Sequence, residues 1–173
     1  ASKAAELLGY PQNTDWQKVA HGIVIHKFKD GVTRENRTYA GEIIKQADAN
    51  LLAFPLQIIT DKNQIIKDLN YYEPRFSKEG PAMAHSILSI LYARLGDPEK
   101  AYQLFKSSYQ PNKRAPFGAL SESATSNNPY FATGAGGLLQ TILFGFGGLN
   151  ISESGIIQTN PVIPKRWTSL TLK

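Results

Sequence analysis

The sequence predicts a mainly α-helical chain that ends in a few short strands. Over most of the first 148 residues, apolar residues recur at helical spacing in segments that Gly or Pro ends, whereas after Gly148 the spacing approaches two. The 173 residues are 42% hydrophobic and 19% charged, a composition typical of one globular domain with a sizeable core. We therefore expect a helical region over residues 1–148 and the start of a β-sheet region over residues 149–173.

The first part of the chain carries three helical signals. Residues 4–8 follow a helical apolar pattern that Gly9 ends, and no capping residue precedes them. Thr14 is the predicted N-cap of the next helix, because its hydroxyl can accept a hydrogen bond from a backbone N–H of the first turn. Residues 43–52 are predicted to form a short apolar helix that must end before Pro55, since proline disfavours helical conformation in the preceding residue.

The middle of the chain predicts one separate helix and one helical hairpin. Residues 61–69 place apolar side chains in a one-sided stripe, and residues 83–95 repeat them at a spacing of about 3.6. Gly96 ends the longer helix, and Asp97 with Pro98 begins another with a cap and a proline in its first turn. Such a short connection between two helices predicts that they pack as an antiparallel pair.

The last third of the chain changes character twice. Residues 110–130 are rich in Pro, Ser and Asn and are predicted to form a long irregular connection, a kind of loop that often carries function. Residues 133–147 begin with small residues and are then apolar on all sides, which predicts a buried helix. Short strands are expected near residues 149–151, 156–157 and 170–172, separated by turn residues.

Composition excludes several classes of protein. Lys and Arg number 19 against 14 Asp and Glu, but these basic residues are scattered, so nucleic acid is not an expected partner. No run approaches 18 consecutive apolar residues, so we expect no membrane span. The lack of Cys excludes disulfides and thiolate chemistry, and three His make a His-rich metal site improbable. We therefore predict no metal and no cofactor, and the compartment stays open between periplasm and cytoplasm.

Four features could carry chemistry, each with a structural alternative. Residues 45–48 (Lys-Gln-Ala-Asp) should face a polar cavity or one another, because burying them unpaired is costly, and a structural network is equally consistent with the pattern. Glu122 is a single carboxylate in the long connection, where an exposed loop residue is the simpler interpretation. Residues 134–137 lack the pattern of a phosphate loop, so they favour close helix packing. His85 fits a hydrogen-bonded core histidine.

Four segments, in order along the chain, resemble glycoside hydrolase family 65. They are residues 45–56, 80–87, 133–149 and 160–170. The resemblance implies that residues 1–148 are the C-terminal half of an (α/α)6 barrel of helical hairpins, followed by a β-sheet domain. It also implies that the catalytic general acid lies upstream of Ala1. A chain that begins inside a helix and ends in a strand at Lys173 agrees with one fragment of a longer enzyme.

The family contains disaccharide phosphorylases and α-glucoside hydrolases. This sequence differs from the phosphorylases at two places. Family phosphorylases have a Ser-rich stretch and a His where this sequence has residues 78–81 and Phe131, and a carboxylate at Glu122 would repel phosphate. These departures resemble the inverting hydrolases of the kojibiose and glucosylgalactosyl-hydroxylysine type. The resemblance then implies Glu122 as general base, with Lys45 and Gln46 binding hydroxyls of the nonreducing glucose.

The resemblance also implies partners. We expect a small-molecule glucoside as substrate and the missing N-terminal half of the same enzyme as the other part of the site, with a homodimer left open. The alternatives are a disaccharide phosphorylase of the same family and a non-catalytic carbohydrate-binding fragment.

Overall fold

A computed structural model describes residues 1–78, 82–128 and 130–172. The predictions that concern residues 79–81 and a strand ending at Lys173 lie outside these ranges. The prediction of a mainly α-helical chain is confirmed. The chain forms two compact units, of which the first is Ala1–Thr38 and the second begins at Tyr39. The expected boundary after residue 148 stays a prediction.

The first unit contains two helices, α1 (Ser2–Leu7) and α2 (Thr14–Gly22). The prediction that Thr14 is the N-cap of α2 is wrong by one residue. Asn13 is the N-cap, because its side-chain Oδ1 accepts a hydrogen bond from the Asp15 backbone N at 2.9 Å. Asn is at least as good a capping residue as Thr, so the chemistry of the cap was predicted and its position was not.

The second unit opens with a helix much shorter than predicted. Helix α3 (Asp48–Leu51) covers only the second half of the expected helix at residues 43–52. The reason is a β-type contact: the Ile44 N–H donates to the Arg75 carbonyl at 2.9 Å, and the Ser77 N–H donates to the Ile44 carbonyl at 2.8 Å. A helix over residues 43–52 would need the Ile44 carbonyl as an acceptor, and here a long-range bond uses it, so tertiary pairing overrides the local helical pattern.

Helix α4 (Lys62–Tyr72) confirms the helix predicted over residues 61–69 and continues three residues further. Asp61 is its N-cap, and the carboxylate accepts a hydrogen bond from the Gln64 backbone N at 2.9 Å. A 3-10 turn, Glu73–Arg75, follows directly and contains Pro74, which cannot continue an α-helix.

The predicted helical hairpin is present as α5 (Ala82–Arg94) and α6 (Pro98–Ser107), which pack against each other. Gly96 adopts a φ of +89°, a left-handed conformation that glycine enters without steric cost. The Asp97 carboxylate accepts a hydrogen bond from the Lys100 backbone N at 2.9 Å and so caps α6 as expected.

We expect Asp97→Ala to lower the free energy of unfolding by about 1 kcal/mol, because a backbone N–H of the first turn of α6 loses its acceptor. The thermal unfolding midpoint measures this change. Asp97→Asn, which keeps an accepting oxygen at the same place, is the matched control and should stay close to the parent. Equal midpoints for the Ala variant and the parent would contradict the assignment of the cap.

The long connection at residues 110–130 is less irregular than predicted. It begins with a 3-10 turn, Gln110–Asn112, and continues as strand β1 (Lys113–Arg114). An antiparallel partner, β2 (Ala119–Leu120), pairs with β1. The short hairpin turns through Gly118, whose φ is +73°. Residues 121–128, after β2, form a loop, as expected.

The glycine-rich segment forms helix α7 (Ala132–Gln140), which continues as a π-helical turn (Thr141–Phe146). The helix is confirmed, but its prediction as buried on all sides is wrong for this chain. One face of α7 packs on α5, whereas Leu139 on another face is 61% exposed.

The chain ends in one β-hairpin and a stretch without strands. Strands β3 (Leu149–Ser152) and β4 (Gly155–Gln158) pair antiparallel and confirm the first two predicted strands. The third, near residues 170–172, is wrong over the described residues. Leu170 packs instead against the cluster around Phe146, which positions this segment by apolar burial without strand pairing.

Helix α5 lies at the centre of the second unit, because it contributes to two apolar clusters of the described residues. The first cluster joins it to α4 through Leu69 and Leu88. The second cluster joins it to α6 and the π-helical turn through Phe105 and Phe146, with Trp167 packed against them. In the described ranges, no helix combines the length and the apolar character needed to cross a membrane.

Candidate functional site

A cleft of about 420 Å³ lies between the start of α3, helix α5 and helix α7. Its walls include Gln46, Asp48, Met83, Thr133, Gly137 and Gln140. Three of the four segments that carried the family resemblance therefore contribute to one cavity. Apolar side chains make up much of the wall and a few polar groups converge on it, which is the usual composition of a small-molecule site.

Two glycines allow the walls of the cleft to approach. A Cβ on Gly137 would lie 2.9 Å from Ser86 Oγ and 3.0 Å from Ser86 Cβ, and a Cβ on Gly134 would lie 3.1 Å from Ala82 Cβ. The backbone of α7 thus lies directly on α5. Close helix packing, which the sequence favoured over a phosphate cradle for residues 134–137, is confirmed.

We expect Gly137→Ala to lower the stability of the protein, because the new methyl group would overlap Ser86 and force α7 away from α5. Overpacking of this kind typically costs about 1–3 kcal/mol. Gly136→Ala is the matched control on the same helix, since nothing lies within 4 Å of its added Cβ. That control should be neutral or stabilising because alanine favours helix more than glycine. The thermal unfolding midpoints of both variants measure the difference in stability. Equal midpoints would contradict the close contact between α7 and α5.

The Lys-Gln-Ala-Asp segment is placed by the short α3 and by two buried alanines. Ala47 and Ala49 face the core, which leaves the polar side chains exposed. Gln46 and Asp48 line the cleft, whereas Lys45 is not among the described residues that do so. The assignment of Lys45 and Gln46 to sugar binding stays a prediction.

Glu122 lies in the loop that follows β2, and its side chain is exposed. Its carbonyl oxygen accepts a hydrogen bond from Asn112 Nδ2 at 3.2 Å. The described lining of the 420 Å³ cleft does not include Glu122. Its assignment as general base stays a prediction.

His85 projects from α5 toward Phe76, with the two ring centroids 6.0 Å apart. Burial lowers the pKa of His85 below its usual value, and the Glu73 carboxylate opposes this with a smaller effect. The imidazole is therefore mainly neutral at pH 7. The prediction of a hydrogen-bonded core histidine is correct in part, since among the described residues the ring has aromatic contact and no hydrogen bond.

A polar cluster around Glu73 was not predicted, because its members are far apart in sequence. The Glu73 carboxylate accepts a hydrogen bond from the Tyr92 hydroxyl at 2.7 Å and forms an ion pair with Lys100. Burial raises the pKa of the Tyr92 hydroxyl, and the hydrogen bond to Glu73 raises it further. The cluster connects the 3-10 turn after α4 to α5 and α6. It therefore stabilises the position of α5, which forms one wall of the cleft.

Arg94, at the end of α5, makes a second connection that the sequence did not reveal. Its guanidinium donates to the Phe144 carbonyl at 3.1 Å, to the Leu149 carbonyl at 3.2 Å and to Asn150 Oδ1 at 2.8 Å. It also lies over the Phe54 ring at 4.7 Å from the centroid. These contacts hold the π-helical turn and β3 against α5.

Metal ligation has no candidate among the residues that the structure describes. No group of three or more His, Cys, Asp or Glu side chains is close enough to hold an ion in those parts of the chain.

Comparison with known proteins gives the family. Residues 12–116 match the model of the glycosyl hydrolase family 65 central catalytic domain. This chain belongs to glycosyl hydrolase family 65, and the family predicted from the four segments is confirmed.

The relatives agree with this result. The chain is 51% identical to a kojibiose hydrolase from Mucilaginibacter mallensis, over 99% of this chain and 26% of that protein. It is 50% identical to a kojibiose hydrolase from Flavobacterium johnsoniae, with the same coverage. It is 37% identical to a protein-glucosylgalactosylhydroxylysine glucosidase from Dictyostelium discoideum, over 91% of this chain and 22% of that protein. The chain thus spans about a quarter of the length of these curated relatives.

Proposed function

We propose that the protein to which this chain belongs hydrolyses an α-glucoside and releases glucose with inversion at the anomeric carbon. One observation carries the proposal: near 50% identity to two kojibiose hydrolases over 99% of the chain. A glucosidase at 37% identity supports the same class of reaction. We further propose that the helices of this chain form part of an (α/α)6 barrel, which the family membership supports.

In the proposed mechanism Glu122 is the general base. Inverting hydrolysis needs one carboxylic acid to protonate the leaving oxygen and one carboxylate to activate a water molecule on the opposite face of the sugar. The two carboxyl groups lie about 6.5–9.5 Å apart in such enzymes, which leaves room for the water. We place the acid in a part of the protein outside this chain, since the chain spans about a quarter of its relatives.

The exposed carboxylate of Glu122 suits a base. As the water attacks the anomeric carbon, its proton passes to Glu122, the new C–O bond forms and the bond to the leaving group breaks. The leaving oxygen takes a proton from the acid. Gln46, which lines the cleft, and Lys45 next to it are proposed to donate hydrogen bonds to hydroxyls of the nonreducing glucose.

Phosphorolysis is the alternative reaction within the family. It would need an anion-binding pocket near the start of α7, where family phosphorylases have a His. Phe131 is the N-cap residue of α7 and makes no side-chain cap. Its ring lies 2.9 Å from the place where a Cβ on Gly134 would be, so an aromatic ring without a hydrogen-bond donor occupies this position. This favours water over phosphate as the attacking group.

A glucose-release assay on the full-length protein tests the proposal. Kojibiose is the first substrate, followed by disaccharides with other α-linkages, each with and without inorganic phosphate. Release of free glucose without phosphate, with β-glucose as the first product from the nonreducing unit, supports inverting hydrolysis. Formation of glucose 1-phosphate that depends on added phosphate would show phosphorolysis instead of hydrolysis. If no glucose is released in either condition, the protein would bind carbohydrate without cleaving it.

A further inference from the structure

We propose that Arg114, with Asn112 and Ser121, positions the Glu122 carboxylate for catalysis. We call these three residues the loop anchor. The proposal rests on the assignment of Glu122 as general base and adds to it the residues that hold the base in place. The sequence assigned none of the three a positioning role, because their contacts follow no helical or strand period.

Arg114 holds the loop on the C-terminal side of Glu122. Its Nη2 donates to the carbonyl oxygens of Ser123, Ala124 and Ser126 at 3.1, 2.5 and 3.0 Å. Its Nε also donates to the Ser126 carbonyl, at 3.2 Å. Its Nη1 lies within 3.3 Å of the carbonyls of two residues next to or near it in sequence, Pro111 and Lys113. One half-buried guanidinium therefore binds the carbonyls of three loop residues between positions 123 and 126 with a planar set of donors.

Asn112 and Ser121 hold the loop at Glu122 itself and just before it. Asn112 is 2% exposed, and its Nδ2 donates to the carbonyls of Ser121 at 3.1 Å and Glu122 at 3.2 Å. Ser121 is fully buried, and its hydroxyl lies 2.7 Å from the Ser123 carbonyl and 3.1 Å from the Asn112 carbonyl. The carbonyls before, at and after Glu122 all accept hydrogen bonds from the loop anchor.

The side chain of Glu122 contrasts with its backbone. The carboxylate is exposed and makes no hydrogen bond or ion pair with any residue that the structure describes. A preorganised catalytic group needs a fixed backbone and a side chain that is available to the substrate. Burying amide and hydroxyl groups is costly unless their hydrogen bonds are made, so the bonded side chains of Asn112 and Ser121 restrict the conformation of the loop backbone.

The β1–β2 hairpin fixes the position of Arg114 relative to the loop that contains Glu122. It lies on β1, and β2 ends at Leu120, directly before Ser121. The hairpin register, in which Arg114 pairs with Ala119 and Lys113 pairs with Leu120, fixes where the loop starts relative to the guanidinium. Loss of the guanidinium would leave the hairpin paired and release the loop.

The experiment is a mutant cycle in the full-length enzyme, with Arg114→Ala, Glu122→Ala and the double variant. We expect Arg114→Ala to lower kcat by about 10–100-fold with KM within about threefold of the parent, since a displacement near 1 Å can reduce a rate on the order of 100-fold. In the Glu122→Ala background, Arg114→Ala should lower kcat by less than about twofold further, because residues that act as a unit are not additive.

Azide provides a readout that a merely structural role would not change. Azide has no proton to lose and attacks the anomeric carbon without a base, so the C–N bond forms as the C–O bond breaks and β-glucosyl azide is produced. Added azide should restore turnover to the same extent in Glu122→Ala and in the double variant, because neither retains the carboxylate that would repel the anion. If Arg114→Ala does not fold, Arg114→Lys takes its place in the cycle. Lysine keeps the charge and one donor group, so the expected loss of kcat is smaller.

Arg94→Ala is the matched control, because Arg94 is also a half-buried arginine bonded to backbone carbonyls, but of a different segment. It should lower the thermal midpoint and leave kcat close to the parent.

The inference is overturned if Arg114→Ala retains parental kcat, if it costs the same factor with and without Glu122, or if azide restores Glu122→Ala and not the double variant. If Glu122→Ala itself keeps parental turnover, the base assignment fails, and the proposed function fails in that part independently of the loop anchor.

Discussion

Glu122→Gln should lower kcat for glucose release by about 10³-fold, the middle of the range that general acid–base catalysis usually contributes. An amide has nearly the same shape as a carboxylate but cannot accept the proton of the attacking water. Substrate binding should remain measurable, because the proposed glucose ligands are Lys45 and Gln46 and not the base. Steady-state kinetics of the full-length protein on kojibiose, with KM determined separately from kcat, measures the effect.

A control carboxylate is available on the same unit. Glu153 lies exposed in the turn between β3 and β4, and Glu153→Gln should retain parental kcat and KM. Turnover of Glu122→Gln within threefold of the parent would remove Glu122 from the mechanism. Equal losses in both variants would show that the assay responds to general damage and not to loss of a base.

Phe146→Ala is expected to cause the largest loss of stability, about 3–5 kcal/mol. The side chain is fully buried at the end of the π-helical turn. Its ring centroid lies 5.8 Å from that of Phe105 in an edge-to-face pair and 4.9 Å from that of Trp167. Truncation would leave a cavity among rigid aromatic rings that cannot easily close it. The shift in the thermal unfolding midpoint, or in the urea midpoint, measures the loss.

Phe117→Ala is the corresponding control, since this ring is 93% exposed at the tip of the β1–β2 hairpin. Surface changes of this kind usually alter stability by less than about 0.5 kcal/mol. Similar midpoints for Phe146→Ala and Phe117→Ala would contradict the central position assigned to the aromatic cluster.

The parts of the fold that the sequence predicted well are those fixed by neighbouring residues. Helix α6 begins at an aspartate cap followed by proline and is preceded by a glycine, and all three signals lie within three residues. Helices α4 and α5 have apolar periods that are complete within their own length. Local rules are sufficient in these cases because the interactions that decide the structure are themselves local.

The parts that it missed depend on partners elsewhere in the chain. Residues 43–47 carry a helical pattern, but the backbone of Ile44 bonds to Arg75 and Ser77, about 30 residues away. Of the site, the sequence identified Gln46 and the glycine-rich helix that line the cleft. It could not identify Arg114, because a guanidinium that binds several carbonyls of a loop leaves no repeating pattern of residue types.

The winding of the segment after α7 determines where the chain can lose a residue. In the π-helical turn the Gly147 N–H donates to the carbonyl of Ile142, five residues back, where an ordinary helix would use the fourth. This turn therefore holds about one residue more than an ordinary helical turn, and removing one residue while restoring ordinary winding would keep all later residues in nearly the same direction. In a regular helix the same deletion would rotate them by about 100° around the axis. Homologous chains should therefore tolerate the loss of one residue in this turn better than a deletion within α7.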